Sequence, residues 1–318
     1  LKYAIIIPCF NEVDSLHITL KSIYEAMNGR QDVEILLLDN GSSDGSQEYA
    51  ESLGVNVYKV PDVKISRLRN IGAGKSTARY FLFLDADVKV PKNWLSTLDL
   101  YADAGGTSFW ADVVGFVDHA PRQAPWFARI WGLRASAKRS EVMSVDSLPG
   151  RNIFIDRRWF ELVGGFNESL ITGEDKDFVL RLKRAGAKVI SDPQLDMLHL
   201  GYEKTFWEWI RKEYWRQHSH ISLIKSNGLC FRLLRFPLAS VLHLPISFCV
   251  LVLLCLNEPM LAMGALLLSL VASFLISAKH SVSRSSIGRL FQFTLLYWLR
   301  FHVAGISVLV EFFQLKKS

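Results

Sequence analysis

Two runs of about twenty residues near the end of this 318-residue chain, PLASVLHLPISFCVLVLLCL (237–256) and PMLAMGALLLSLVASFLISA (259–278), hold no Asp, Glu, Lys or Arg. Each is about as long as a helix must be to cross a bilayer core. Only Asn257 and Glu258 separate them, so the pair is expected to form a tight hairpin that returns to the side it started from. The competing reading, a buried helical hairpin in a soluble protein, rarely shows two successive uncharged runs of this length. Lys225, Arg232 and Arg235 precede the hairpin, and Lys279, His280, Arg284 and Arg289 follow it. Basic flanks stay on the cytoplasmic side, so the domain before the hairpin is expected to face the cytoplasm and the protein to be multi-pass in the cell membrane. A third apolar stretch, 290–315, carries Arg300 and His302 near its middle and is followed by Lys316 and Lys317. A spanning helix would bury Arg300 in lipid and export both lysines, so an interfacial or re-entrant helix is preferred to a third span.

Up to about Tyr214 the sequence mixes charges, glycine turns and short apolar runs, as soluble α/β proteins do. A domain over 1–220 and a membrane region over 221–318 are therefore expected. The formal net charge is +6, from 37 Lys plus Arg against 31 Asp plus Glu, and many of the basic residues flank the tail. That suits the membrane lipid bilayer and its anionic surface, while no motif or basic and aromatic platform for nucleic acid is present. Cys9, Cys230, Cys249 and Cys255 show no metal or disulfide spacing and read as small buried apolar residues in a reducing compartment. Polar residues arrive by Asn11 and Glu12, which does not fit a cleavable signal, so insertion is expected to depend on the tail.

The soluble part begins with YAIIIP (3–8), a short apolar run of the kind buried on both faces of a sheet. Helical periodicity follows over 15–27, then a second buried strand, VEILLL (33–38), ending in Asp39-Asn40-Gly41-Ser42-Ser43-Asp44-Gly45. A helix over 46–52, a short strand over 55–60, a helix over 66–80 and the strand FLFLDADVKV (81–90) complete a βαβα alternation. The fold class is α/β, a doubly wound, mostly parallel sheet. Ligands bind such sheets outside the carboxyl ends of the strands, where strand order switches. Three strands here end in polar residues at that edge: Asn11 and Glu12, Asp39 to Asp44, and Asp85 with Asp87. Any one of them is ordinary turn chemistry; three on one rim describe a site.

Asp85 and Asp87 lie two apart, so on a strand both face one ligand while Ala86 faces away. Crowded carboxylates call for a cation, and oxygen ligands favour Mg²⁺ or Mn²⁺ shared with substrate phosphates. A metal-bound diphosphate is the natural occupant, against the alternative of a solvated Asp-x-Asp turn. GAGKS (72–76) imitates the end of a P-loop, but Arg69 stands where that pattern needs its first glycine.

The ordered set IIIPCFNE, LLLDNGSSDGS, RLRNIG, FLFLDAD and GEDKDF resembles the family 2 glycosyltransferases, over roughly residues 3 to 220. The resemblance implies a GT-A catalytic domain, followed here by a C-terminal membrane-helix hairpin, and a nucleotide-diphosphate sugar as donor. It implies that Pro8, Asn11 and Glu12 line the nucleotide pocket, that Asp39 accepts a hydrogen bond from the base, with uracil favoured, and that Ser42 and Asp44 shape the same wall. Arg69 and Asn70 would lie near the base or diphosphate. Asp85 would bind the ribose or the water shell of the metal, and Asp87 would ligate the metal directly. Members often carry DDGS where this chain has DNGS, which weakens the choice of base.

Gly150, Arg151 and Asn152 in LPGRNIFI match a loop beside the donor sugar, and Gly164-Gly165-Phe166 matches a turn before the catalytic loop. Read locally, Thr172 with Asp175 is a capping box opening an amphipathic helix, whose N-terminus suits acidic residues. Within the resemblance Asp175 is the base that deprotonates the acceptor hydroxyl, Glu174 orients it or touches the acceptor, and Lys176 and Arg181 keep it ionised. His199 reads locally as a packed core residue, and by resemblance as a further metal ligand. The reaction implied is metal-dependent single displacement with inversion, onto a lipid-linked or saccharide acceptor. Processive synthases of the family carry Gln-x-x-Arg-Trp, which 209–217 does not match, so one sugar per encounter is expected. Trp126, Phe127 and Trp131 with Arg129 and Arg134 form an aromatic and basic stretch suited to the membrane interface. A membrane-bound nucleotidyltransferase releasing pyrophosphate and a non-catalytic nucleotide-sugar-binding scaffold are the rival readings.

Overall fold

The computed structural model describes residues 1–104, 111–116, 119–133, 141–229, 231–281 and 287–315. Arg134, Cys230, Arg284, Lys316 and Lys317 lie outside the described residues, as do the side chains of Arg232, Lys279 and His280. The chain forms two compact units: Leu1–Pro121, Arg139–Ser169 and Glu174–Tyr202 make the first, and Arg122–Lys138, Leu170–Gly173 and Glu203–Ser318 the second.

The first unit opens with β1 (Tyr3–Cys9), α1 (Val13–Met27), β2 (Val33–Asp39), α2 (Ser46–Ser52), β3 (Asn56–Lys59), α3 (Ile65–Lys75), β4 (Tyr80–Leu84) and β5 (Val88–Lys89). After α4 (Trp94–Ala102) and β6 (Val113–Gly115), the chain leaves for α5 (Trp126–Gly132) in the second unit. It returns with β7 (Met143–Ser144), β8 (Asn152–Asp156), α6 (Arg157–Leu162), α7 (Glu174–Arg184), β9 (Val189–Ser191) and β10 (Leu198–His199). Among the described residues an eight-stranded sheet runs β3-β2-β1-β4-β8-β6-β9-β7, and β10 pairs with β5. The β3-β2-β1-β4 half is parallel, while β8 is antiparallel to both β4 and β6. All seven residues of β1 are buried, because successive side chains enter opposite cores. Ile5 and Ile7 pack with Leu16 and Leu20 of α1, and Ile6 packs with Leu38, Phe83 and Phe178. Each such side chain contributes about 1.5–3 kcal/mol by leaving water.

Two expectations change. The helix expected over 66–80 ends at Lys75; the Ser76 hydroxyl accepts the Ala78 N–H, which turns the chain into β4. FLFLDADVKV is two short strands, and residues 85–87 form the turn between them. The alternation argued from a continuous strand survives in the turn, since Ala86 is buried at 2% exposure and both aspartates are half-buried.

In the second unit, α8 (Phe206–Arg216) and α9 (His220–Asn227) precede α10 (Phe231–Cys255), α11 (Pro259–Ser281) and α12 (Ile287–Leu315). Asn257, with φ of 62°, makes the turn between α10 and α11. Among the described residues three helices are long and apolar enough to cross a membrane, Leu233–Cys255, Pro259–Ala278 and Ile287–Gln314. In α12 44% of the apolar window is buried against protein, compared with 11% in α10. Three of its polar residues meet other helices of the unit. Arg300 Nε lies 3.1 Å from Glu213 Oε2, with the guanidinium 4.4 Å from the Phe236 ring centre. The Ser307 hydroxyl donates to the Tyr214 carbonyl. Glu311 accepts the N–H groups of Ile221 and Ser222, at the start of α9.

Candidate active site

Strand order reverses between β1 and β4, and the cleft lies at their carboxyl ends, as parallel sheets require. It holds about 300 Å³ and is lined by Pro8, Cys9, Phe10, Glu12, Asn40, Ile65, Leu68, Asp85, Ala86 and Asp87. Pro8, Glu12, Asp85 and Asp87 are thus brought together as the sequence suggested. Asn11, Ser42 and Asp44 instead tie the loops after β1 and β2 to each other. The Asn11 N–H donates to Ser42 Oγ at 2.9 Å, Asn11 Oδ1 accepts the Ser43 N–H at 2.8 Å, and Asp44 Oδ2 accepts the Val13 N–H at 2.9 Å. Burial pushes the Asp44 carboxyl up, but the Ser46 hydroxyl and the Val13 and Ser46 N–H groups hold it below the usual carboxylate range. Asp39, 2% exposed, accepts the N–H groups of Gly41 and Ser42 at 3.1 Å. Asn40 accepts the Val63 N–H at 3.0 Å.

On the opposite wall β5 and β10 run antiparallel, with His199 across from Val88. This ladder places His199 Nε2 3.2 Å from Asp87 Oδ2, with side chains 19% and 16% exposed. The Leu200 N–H donates to the Asp87 carbonyl at 2.7 Å, which fixes the backbone of the pair. Gly201 completes the contact: a Cβ there would lie 1.8 Å from Asp87 Oδ2. That glycine was missed in the sequence, where its position two residues after His199 is the only signal.

Arg69 joins the two acidic motifs. It is 2% exposed, and its guanidinium donates to Asp85 Oδ1 at 3.0 Å and to Glu174 Oε1 at 2.8 Å. Burial opposes its charge, but Asp85, Glu174 and Asp175 together raise its pKa. Burial raises the pKa of Asp85, against Arg69 and with repulsion from Asp87; burial and Asp175 raise that of Glu174, again against Arg69. Gly150 lies over the guanidinium, where a Cβ would come within 2.7 Å of it. The Gly150 N–H donates to Asp175 Oδ2 at 3.3 Å. Glu174 therefore anchors inward, and Asp175, half-buried at the start of α7, is the acid left toward the loop of Gly150.

Several expected ligands have structural duties. The Asn70 amide accepts the Phe166 N–H at 2.8 Å and donates to the Phe166 carbonyl and to Glu168, clamping the Gly164-Gly165-Phe166 turn. Asn152, 3% exposed, donates to the carbonyls of Phe116 and Leu195. Arg151 is half-buried and its charge favours ionised Asp85. Arg181 pairs with Asp177 at 2.7 Å. The capping box does not form: Thr172 Oγ1 is buried without a hydrogen-bond partner.

The donors at the cleft edge fit a divalent cation. They are carboxylate oxygens and one imidazole nitrogen, a set suited to Mn²⁺ or Mg²⁺. Among the described residues no three His, Cys, Asp or Glu side chains converge into a complete metal site. Asp87 and His199 therefore suit an ion that takes its remaining oxygens from a substrate and water.

A family model described as Glycosyl transferase family 2 matches residues 4–162. Glycosyltransferase AglE of Haloferax volcanii is 25% identical over 194 residues, which cover 58% of this chain and 62% of that protein. Undecaprenyl-phosphate 4-deoxy-4-formamido-L-arabinose transferase of Serratia proteamaculans is 31% identical over 163 residues, covering 48% and 45%. The chain thus matches less than two thirds of the length of either relative. Among solved structures, mannosyltransferase PcManGT from Pyrobaculum calidifontis in complex with GDP-Man and Mn²⁺ aligns over 96% of this chain and 87% of its own. The TM-score is 0.59 at 19% identity. That likeness shows the fold, which is GT-A.

Proposed function

The chain belongs to glycosyl transferase family 2, an enzyme family that transfers sugar from nucleotide-sugar donors, and from that premise we propose the particular reaction. One sugar passes from a nucleoside-diphosphate donor to a hydroxyl of a lipid-linked or saccharide acceptor, with inversion, at the cytoplasmic face of a membrane. The observation that carries this reading is the Asp87–His199 pair, 3.2 Å apart at the edge of the cleft.

Asp87 and His199 would hold the cation, and Asp85 stands beside them, oriented by Arg69. Held by these residues, a divalent ion would supply positive charge against the departing nucleotide diphosphate. Asp175 takes the acceptor proton as the acceptor oxygen forms its bond to the anomeric carbon, and the bond from that carbon to the diphosphate breaks on the opposite face. A carboxylate serves as such a base when it lies within hydrogen-bond reach of the hydroxyl. Asp39 was the ground for favouring uracil. Its carboxylate is occupied by its own turn, and PcManGT is a GDP-Man complex, so UDP and GDP donors must be compared directly. The Serratia relative, named for undecaprenyl-phosphate, supports a lipid-linked acceptor. The span of α10 and α11 with basic flanks supports a multi-pass protein whose first unit is cytoplasmic. The polar contacts along α12 support an interfacial helix there.

The test is release of nucleoside diphosphate from UDP-, GDP- and dTDP-sugars by detergent-solubilised protein with Mn²⁺ or Mg²⁺ and a membrane lipid extract. The anomeric configuration of the product is read by NMR. Lipid-dependent release from one donor, inverted product, and loss in both Asp87→Asn and Asp175→Asn are expected. Retention of configuration would sink the single displacement, and release of pyrophosphate would make the protein a nucleotidyltransferase.

A further inference from the structure

In the stretch expected to meet the membrane, Trp126 to Trp131, Trp126 is 37% exposed while Phe127 and Trp131 turn inward, at 6% and 3%. In the same unit, α8 presents the opposite arrangement. Trp209 and Glu213 are buried at 0% and 1%, whereas Trp207 and Trp215 are 60% and 52% exposed. Trp207, Arg211 and Trp215 recur every four residues, so they form one stripe on the outer side of the helix. Arg211 lies over the Trp207 ring at 5.8 Å, which keeps the cation within the stripe.

We propose that this outer face of α8 docks on the anionic headgroup layer of a lipid bilayer. Three observations carry it. First, exposed tryptophans next to arginine are the chemistry of a membrane interface, where an indole lies at headgroup depth and the cation meets lipid phosphate. Second, the charge is complementary. Lys204, Arg211 and Lys212 accompany the stripe, and its one acid, Glu208, is paired with Lys212 at 3.6 Å, while Glu203 and Glu213 are buried against Arg216. Third, the face adjoins the apolar helices of its own unit. The Ser307 hydroxyl of α12 donates to the Tyr214 carbonyl of α8, so the helix that carries the stripe packs directly on one of the apolar helices. The inference rests on reading the C-terminal helices as membrane-embedded, which incorporation of the chain into nanodiscs tests separately.

The experiment uses the full chain in nanodiscs of phosphatidylcholine alone or mixed with phosphatidylglycerol, each with and without brominated lipid as a tryptophan quencher. The wild type should show lipid quenching that increases with phosphatidylglycerol. Trp207→Phe with Trp215→Phe should lose that increment, and Arg211→Gln should lower it several-fold; both changes are on an exposed face and leave the fold intact. Equal quenching in the wild type and the double variant would overturn the proposal. So would quenching of Trp207 and Trp215 by aqueous acrylamide in the nanodiscs, which would mark a face open to a soluble partner. Quenching independent of phosphatidylglycerol would overturn the assignment to anionic lipid.

Discussion

In the first unit a buried cation stands among carboxylates; in the second a buried carboxylate stands among cations. Arg69 holds Asp85 and Glu174, with Asp175 and Asp87 close by, so acid outnumbers base and the surplus opens on the cleft. Glu213 accepts the Trp131 indole N–H at 3.0 Å and pairs with Arg216 and Arg300, while Arg216 also reaches Glu203 at 2.6 Å. There the charges close on one another. The difference separates two uses of a costly feature. An unbalanced cluster is left open to a ligand, in the proposed reaction a cation and the phosphates it carries, whereas a balanced one holds helices together and needs nothing further.

The comparison breaks most sharply at Asp175. Replacing it with Asn keeps the shape and the hydrogen bond from Gly150, but in the proposed reaction leaves no base for the acceptor proton. We expect kcat to fall by roughly 10²–10⁴-fold with thermal stability unchanged. The pair of measurements is steady-state sugar transfer and a melting curve of the same preparation. An unchanged kcat would move the base elsewhere.

What the sequence made legible follows from how local each signal is. The parallel half of the sheet, Asp85 with Asp87, and Glu174 with Asp175 are written in runs of a few residues, and their spacing fixes their placement. His199 needed the resemblance to be linked with Asp87, because the short β5–β10 ladder has no strong strand pattern. The Arg69 bridge was not legible. It joins residues 105 apart in sequence and exists because Gly150 leaves room above the guanidinium. The same limit applies in α8, where Trp207 and Trp209 are both tryptophans on a helix and only packing shows which one faces out. Arg300 illustrates the converse: the sequence showed its place in an apolar run, and only packing shows its partner, Glu213.

Glu213→Gln should reverse the pattern of Asp175→Asn. It leaves Arg216 and Arg300 without a counter-charge at their shared contact, and removal of one member of a buried ion pair costs about 3–5 kcal/mol. The expected result is a lower melting temperature, with transfer per folded molecule close to wild type. A loss of kcat without loss of stability would show that the second cluster serves the reaction as well.

The smallest effect should come from a third cluster, half-exposed at the end of the sheet where β1 begins, in which Lys2 and Arg30 meet Asp32, Asp99 and Asp103. Asp99 accepts hydrogen bonds from Lys2 at 2.8 Å and Tyr3 at 2.6 Å and pairs with Arg30. Burial pushes its carboxyl up, but Arg30, Lys2 and Tyr3 outweigh that and lower it from 3.8 to about 2. Because the folded value lies below the unfolded one, the stabilisation is complete above about pH 4 and disappears as pH falls toward 2. Allowing for screening by solvent, it amounts to about 1 kcal/mol. Asp99→Asn should therefore melt a few degrees lower than wild type at neutral pH, and the gap should close through that acid window. A gap that stays constant down to pH 2 would assign the loss to packing around Tyr3 rather than to charge. In that case charge would cease to explain what this cluster contributes to the fold, and only the ion pairs of Glu213 would remain as a structural use of charge.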